Sequence, residues 1–219
     1  MSLTNILGKS NLKRAIKRTK EARTASGEQA DELFREAYRN YAATLRSDPD
    51  TADALNNWGS ALFFQGLTKT GEDAVQLFRT AGEKFSACLI IDPGIPSAAI
   101  DWGVALMEEA RASGFAPSHS LYDQAREKFF LAEKIQAGSA SYNLACIHSL
   151  RNEHDECLKY LKAAQEHGNL PEPDQIAMDS DLGNVRDTSW FQAFLDSLKS
   201  GQPKIEFEGP DEEKESTDA

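Results

Sequence analysis

The residue types that could bind a metal or serve as a nucleophile gather in one place, Cys146 and His148 followed by His154 and Cys157. The spacing is not that of a structural zinc site. Cys146 and His148 are also a poor nucleophile–base pair, because side chains two apart on a helix point in different directions. Cys157 falls at a packing position, where free cysteine behaves as a small hydrophobe, and His154 falls in a turn. There is no convergent acid/base set, Gly-rich phosphate loop or nucleophile motif. The expectation is no catalytic residue, no metal and no cofactor, with an enzyme or metalloprotein the least supported reading.

The elements that would position any site are repeats. Phe34–Pro49 reads FREAYRNYAATLRSDP, and 44 residues on, Phe78–Pro93 reads FRTAGEKFSACLIIDP. The same offset lays Trp58-Gly59-Ser60-Ala61-Leu62 on Trp102-Gly103-Val104-Ala105-Leu106, and Phe78, Ala81, Lys84 and Phe85 on Tyr122, Ala125, Lys128 and Phe129. Phe34, Ala37, Tyr41 and Leu45 form one helical stripe. Asp48-Pro49, Asp92-Pro93, Gly66, Gly71, Gly114 and Pro117 punctuate the junctions, because Pro cannot continue a helix. Small residues at Gly59 and Gly103 predict close helix crossings, and Trp58 and Trp102 are expected in the core. A repeat array makes extended binding surfaces, so binding is the expected task.

These residues resemble the tetratricopeptide repeat. Asn57-Trp58-Gly59-x-Ala61-Leu62 is similar to the family's first-helix signature, and Ala81, Phe85, Cys88 and Pro93 fit its second helix. Tyr142-Asn143-Leu144-Ala145 with Cys157, Leu161 and Ala164 matches a third unit, with Ala145 for the glycine and Cys157 for an alanine. Phe34–Pro49 matches a second helix, which predicts a first helix in about Asn11–Thr24. The usual period is about 34 residues, so the 44-residue period here adds about ten between helices A and B of two units. The extra residues predict longer helices, each by roughly 7 Å; the competing outcome is a loop at Gly66–Gly71 and at 113–118. Extended units of this kind resemble those of the plant mitochondrial outer-membrane import receptor. The fold expected is an all-α, right-handed superhelix of antiparallel helix pairs with a C-terminal capping helix. It divides as a flexible 1–10, a repeat domain 11–168 of about three and a half units, a linker and cap 169–201, and a disordered acidic tail 202–219.

The resemblance implies a concave peptide-binding face. Its lining would be Asn56, Ser60, Phe63 and Phe64, then Ile100, Val104, Met107 and Glu108, then Tyr142, Cys146 and Ser149. None is Lys or Arg, so the carboxylate clamp of the family's chaperone-binding members is not expected. An apolar groove suits an amphipathic helix or an extended hydrophobic peptide, held with little sensitivity to salt. The bland alternative is that Phe63, Phe64 and Met107 pack on neighbouring helices. Trp190, Phe191, Phe194, Leu195 and Leu198 have helical spacing, and the helix they form either caps the array or fills the groove as an internal ligand mimic.

Net charge is −11, which argues against nucleic acid. The charge is uneven: residues 1–23 carry seven basic residues against Glu21, and 202–219 carry seven acids against Lys204 and Lys214. The basic helix Leu12–Arg23 reads as the first helix of the array, or as a contact for an anionic membrane or an acidic partner. An acid-poor mitochondrial presequence is a further reading of this terminus. No apolar run is long enough to span a membrane, and the three cysteines show no disulfide pattern. A cytoplasmic setting is the simplest expectation. The expected function is a non-catalytic adaptor or scaffold; a cytoplasmic chaperone for secreted or membrane-targeted clients is the alternative.

Overall fold

The computed structural model describes residues 3–200. Among them every regular element is helical. The chain forms two compact units, Met1–Ala137 and Gly138–Ala219. The acidic stretch 202–219 lies outside the described residues.

The first unit holds α1 (Leu3–Thr24), α2 (Gly27–Ser47), α3 (Ala52–Gly66), α4 (Gly71–Ile91), α5 (Pro96–Ala112) and α6 (Ser120–Ile135). They pack as the pairs α1–α2, α3–α4 and α5–α6, each joined to the next by further contacts. The first helix starts at Leu3 rather than near Asn11. Its Ala15 and Ala22 are buried against the Phe34, Ala37 and Tyr41 stripe of α2, while Lys9, Lys13, Arg14, Lys17 and Lys20 stay exposed.

The extra ten residues of each long repeat lie mainly in helix. α3 and α4 have 15 and 21 residues and α5 and α6 have 17 and 16, against 10 and 13 in the third pair. The long helices meet through a repeated device. A Cβ on Gly59 would stand 2.6 Å from the ring of Phe85, and one on Gly66 the same distance from Phe78. Because the partner numbers fall as the glycine numbers rise, α3 and α4 run antiparallel. The offset repeats the contact in the next pair, where a Cβ on Gly103 would lie 2.5 Å from Phe129. Phe85 and Phe129 are fully buried, so only hydrogen at these glycines lets the helices close.

The two tryptophans are both half-buried against one cluster rather than enclosed in the core, and their surroundings differ. Trp58 stacks with Tyr38 and Tyr41 at ring separations of 6.2 and 6.1 Å. The residue that the offset places at the Tyr38 position is Gly82, and Trp102 lines an open groove beside it. Lys84 and Lys128 sit over the two indoles at 4.6 and 4.1 Å. Trp58→Ala is therefore expected to lose about 3–5 kcal/mol and Trp102→Ala measurably less, which parallel urea titrations would resolve. Equal losses would show that the groove does not relieve the second site.

The second unit holds α7 (Ser141–Leu150), α8 (His154–Glu166), α9 (Pro173–Met178), a 3-10 turn at Ser180–Leu182 and α10 (Ser189–Ser200). Asn152, with φ of 60°, turns α7 into α8; asparagine tolerates this left-handed backbone better than most residues. The linker is more structured than its prolines suggest. Ile176, Leu182 and Val185 are fully buried with Phe191, Phe194 and Leu195 of α10, against Ala145, Cys157, Leu158 and Leu161 of the α7–α8 pair. Met178 stays 82% exposed.

Candidate functional site

The metal-type residues do not converge as a site. His148 pairs through Nδ1 with Glu153 at 2.5 Å and stacks on Tyr160. His154 lies by Trp190. Cys157 is fully buried and its thiol is pushed up to about 12 by desolvation; burial likewise raises Cys88 to about 11. Neither is a thiolate at neutral pH. A different trio, Cys146, Asp179 and Asp181, brings ligand atoms within 4.8 Å of one another. Asp179 is already engaged, however: Oδ1 accepts from the Asp181 N–H at 2.9 Å and Oδ2 from the Tyr142 hydroxyl at 2.7 Å. The trio reads as the start of the 3-10 turn docked onto α7.

That docking changes the expected binding face. Tyr142 and Cys146 were expected to face a partner, and both pack instead against the chain's own C-terminal segment. Ser149 is fully buried, and the Asn184 amide donates to its carbonyl at 3.1 Å. Within its own unit, this segment covers the α7 positions that were expected to line a binding face. Burial drives the Tyr142 hydroxyl pKa far upward, so it remains a donor to Asp179.

In the first unit the expected residues divide. Ser60, Phe63 and Phe64 of α3 and Val104 of α5 line one pocket of about 70 Å³, together with Phe85 and Asp101. Phe64 carries the Arg23 guanidinium over its ring at 3.8 Å, and Phe63 leans on Phe78 at 5.6 Å. Thus the bland reading holds in part: both rings also serve packing. Asn56 and Ile100 are half-buried on the same helices. Glu108 pairs with Arg111 one turn on. Met107 is only 4% exposed, which leaves its side chain to the core rather than to a lining.

Asp101 escaped the sequence reading. Its carboxylate accepts from Ser60 Oγ at 3.2 Å, and burial raises its pKa against that bond. A signal existed: the 44-residue offset puts an acid at 101 where the preceding repeat has Asn57.

A second and larger groove, of about 510 Å³, runs between α4 and α6 across α5. Trp102, Leu106, Phe78, Ala87, Leu121 and the 80%-exposed Ile90 line it. Glu109, nearly buried, meets Arg79 at 3.0 Å along its wall. Gly82 also lines it, packed so closely on Trp102 that a Cβ there would stand 2.9 Å from the indole nitrogen.

Comparison with known proteins adds one match. The family model described as plant-specific mitochondrial import receptor subunit TOM20 covers residues 30–167, more than half of the chain. No curated protein matches. The match overturns the expectation of a free cytoplasmic protein, since that family is named for a receptor of mitochondrial import. It lends nothing to the chaperone alternative. No helix among the described residues is long and apolar enough to cross a membrane.

Proposed function

Because this chain belongs to the plant-specific mitochondrial import receptor subunit TOM20 family, we propose that its α3–α5 face receives the targeting segment of a protein bound for import. A receptor role is one of protein interaction rather than catalysis. Mitochondrial targeting segments are amphipathic helices rich in Arg and poor in acids. Such a helix presents an apolar stripe to a groove and a charged edge to its rim. The observation that carries the reading is that Ser60, Phe63, Phe64 and Val104 share one pocket, apolar except for a hydroxyl and a carboxylate. A net charge of −11 favours approach of a basic partner. The scope is narrower than the eleven positions first expected, because Met107, Cys146 and Ser149 are buried.

Val104→Asp tests this. The side chain lines the pocket and is half-exposed, so the fold should tolerate the change. A fluorescent amphipathic helical peptide is expected to bind at least tenfold more weakly, with the far-ultraviolet circular dichroism unchanged. Ile90→Asp, in the outer groove, is expected to leave affinity as it was. If the Val104 variant binds normally and the Ile90 variant does not, the outer groove is the working surface and the proposal fails.

A further inference from the structure

Asp101 is an unusual residue to find in an aromatic pocket. Its one hydrogen-bond donor among the described residues is Ser60 Oγ, at 3.2 Å from Oδ2. The same hydroxyl lies 3.2 Å from the Asn56 carbonyl oxygen. A hydroxyl has one proton, so the carboxylate shares its only donor with a backbone acceptor. The walls around it are Phe63, Phe64, Phe85 and Val104, none of which can donate. Burial disfavours its charged form. Asn57, at the matching position of the preceding repeat, needs no such partner because its amide donates to the Asp53 carbonyl at 2.8 Å along its own helix.

A desolvated carboxylate with half a donor is poorly served alone and well served by a cation. The rings beside it narrow which cation. A guanidinium offers a planar fork to a carboxylate while its face packs on aromatic carbon. The same wall already shows this affinity, since the Arg23 guanidinium lies 3.8 Å over the Phe64 ring.

We propose that Asp101 is the cation subsite of this face, taking the guanidinium of one arginine on the edge of the bound amphipathic helix. The inference rests on the reading of the face as a targeting-segment site and adds the contact that selects a basic segment over a merely apolar one. Apolar burial holds the helix, and the carboxylate chooses among helices.

The test uses the full chain and two synthetic amphipathic peptides, one with a single arginine beside its apolar stripe and one with citrulline there. Citrulline keeps the shape and loses the charge. The parent protein is expected to bind the arginine peptide on the order of tenfold more tightly, in keeping with a charge-assisted pair. Asp101→Asn is expected to bind both peptides alike, at the citrulline affinity. The variant should also melt no lower than the parent, because it removes a desolvated charge and keeps an acceptor for Ser60. Discrimination that survives in Asp101→Asn overturns the subsite while leaving the face intact. Loss of discrimination with a lower melting temperature makes Asp101 a structural residue and overturns it too. If the parent binds neither peptide, the targeting-segment reading itself falls, and the subsite with it.

Discussion

Replacing Phe129 with alanine is expected to lower stability by about 3–5 kcal/mol, and replacing Gly103 with alanine by about 1–3 kcal/mol. The two losses should not add. Phe129 is fully buried and fills the α5–α6 crossing, so its truncation leaves a cavity at a place with no spare neighbour. A methyl at Gly103 would stand 2.5, 2.8 and 2.8 Å from three atoms of that same ring. The ring cannot give way by a few tenths of an ångström, because it is enclosed on every side. With Phe129 already removed, the methyl enters the cavity that the ring has left. The double variant is then expected to be at least as stable as Phe129→Ala alone, a favourable coupling that a double-mutant cycle by urea denaturation measures directly. Simple additivity would mean that glycine and ring do not oppose each other.

The second large effect is expected at Phe194. This side chain is 1% exposed and belongs to the cluster that joins α10 to the α7–α8 pair. Phe194→Ala should cost about 3–5 kcal/mol, and the cost should stay within its unit. Amide exchange is the sensitive readout. Protection is expected to fall along α7, α8 and α10, where Cys157, Leu158 and Leu161 lose their cover, and to persist in α3 and α4. Uniform loss across the chain would show that the two compact units unfold as one. The same variant bears on the covered positions of α7: weakening the cover frees Tyr142 and Cys146, and a new thiol reactivity at Cys146 would report it.

Much of this architecture can be read from residues alone, and the reasons are physical. The offset of 44 carries the Trp-Gly pair and its phenylalanine together, because a helix crossing constrains both partners at once. A missing side chain and the ring that fills its place must repeat as a unit. Helix length was legible for a similar reason: the inserted residues keep a helical stripe, as Val75 and Phe78 of α4 show by being buried. The face of a long helix was not legible. Positions mapped from shorter repeats predicted Met107 on the open side, yet its side chain is 4% exposed although helical spacing puts it on the side of Ile100. The packing of the linker was not legible, because Pro171 and Pro173 break any helical stripe there. Their neighbours Ile176, Leu182 and Val185 are too sparse to show a period, though all three are fully buried. Asp101 was missed because a polar residue beside an apolar strip looks like a solvated edge; only the paired Ser60, from another helix, shows that it points inward.

The glycine at position 82 has a spectroscopic consequence. The described residues carry three indoles, one in each region of interest: Trp58 in the first long repeat, Trp102 in the second and Trp190 at the start of α10. Trp58 is shielded by two tyrosine rings, and Trp190 lies against Phe191. With Gly82 against its indole nitrogen, Trp102 lines the open groove and is the indole that a small collisional quencher such as acrylamide is expected to reach first. Its emission therefore reports, without any label, whether that outer groove is filled or empty, while the other two report whether the helices around them are folded.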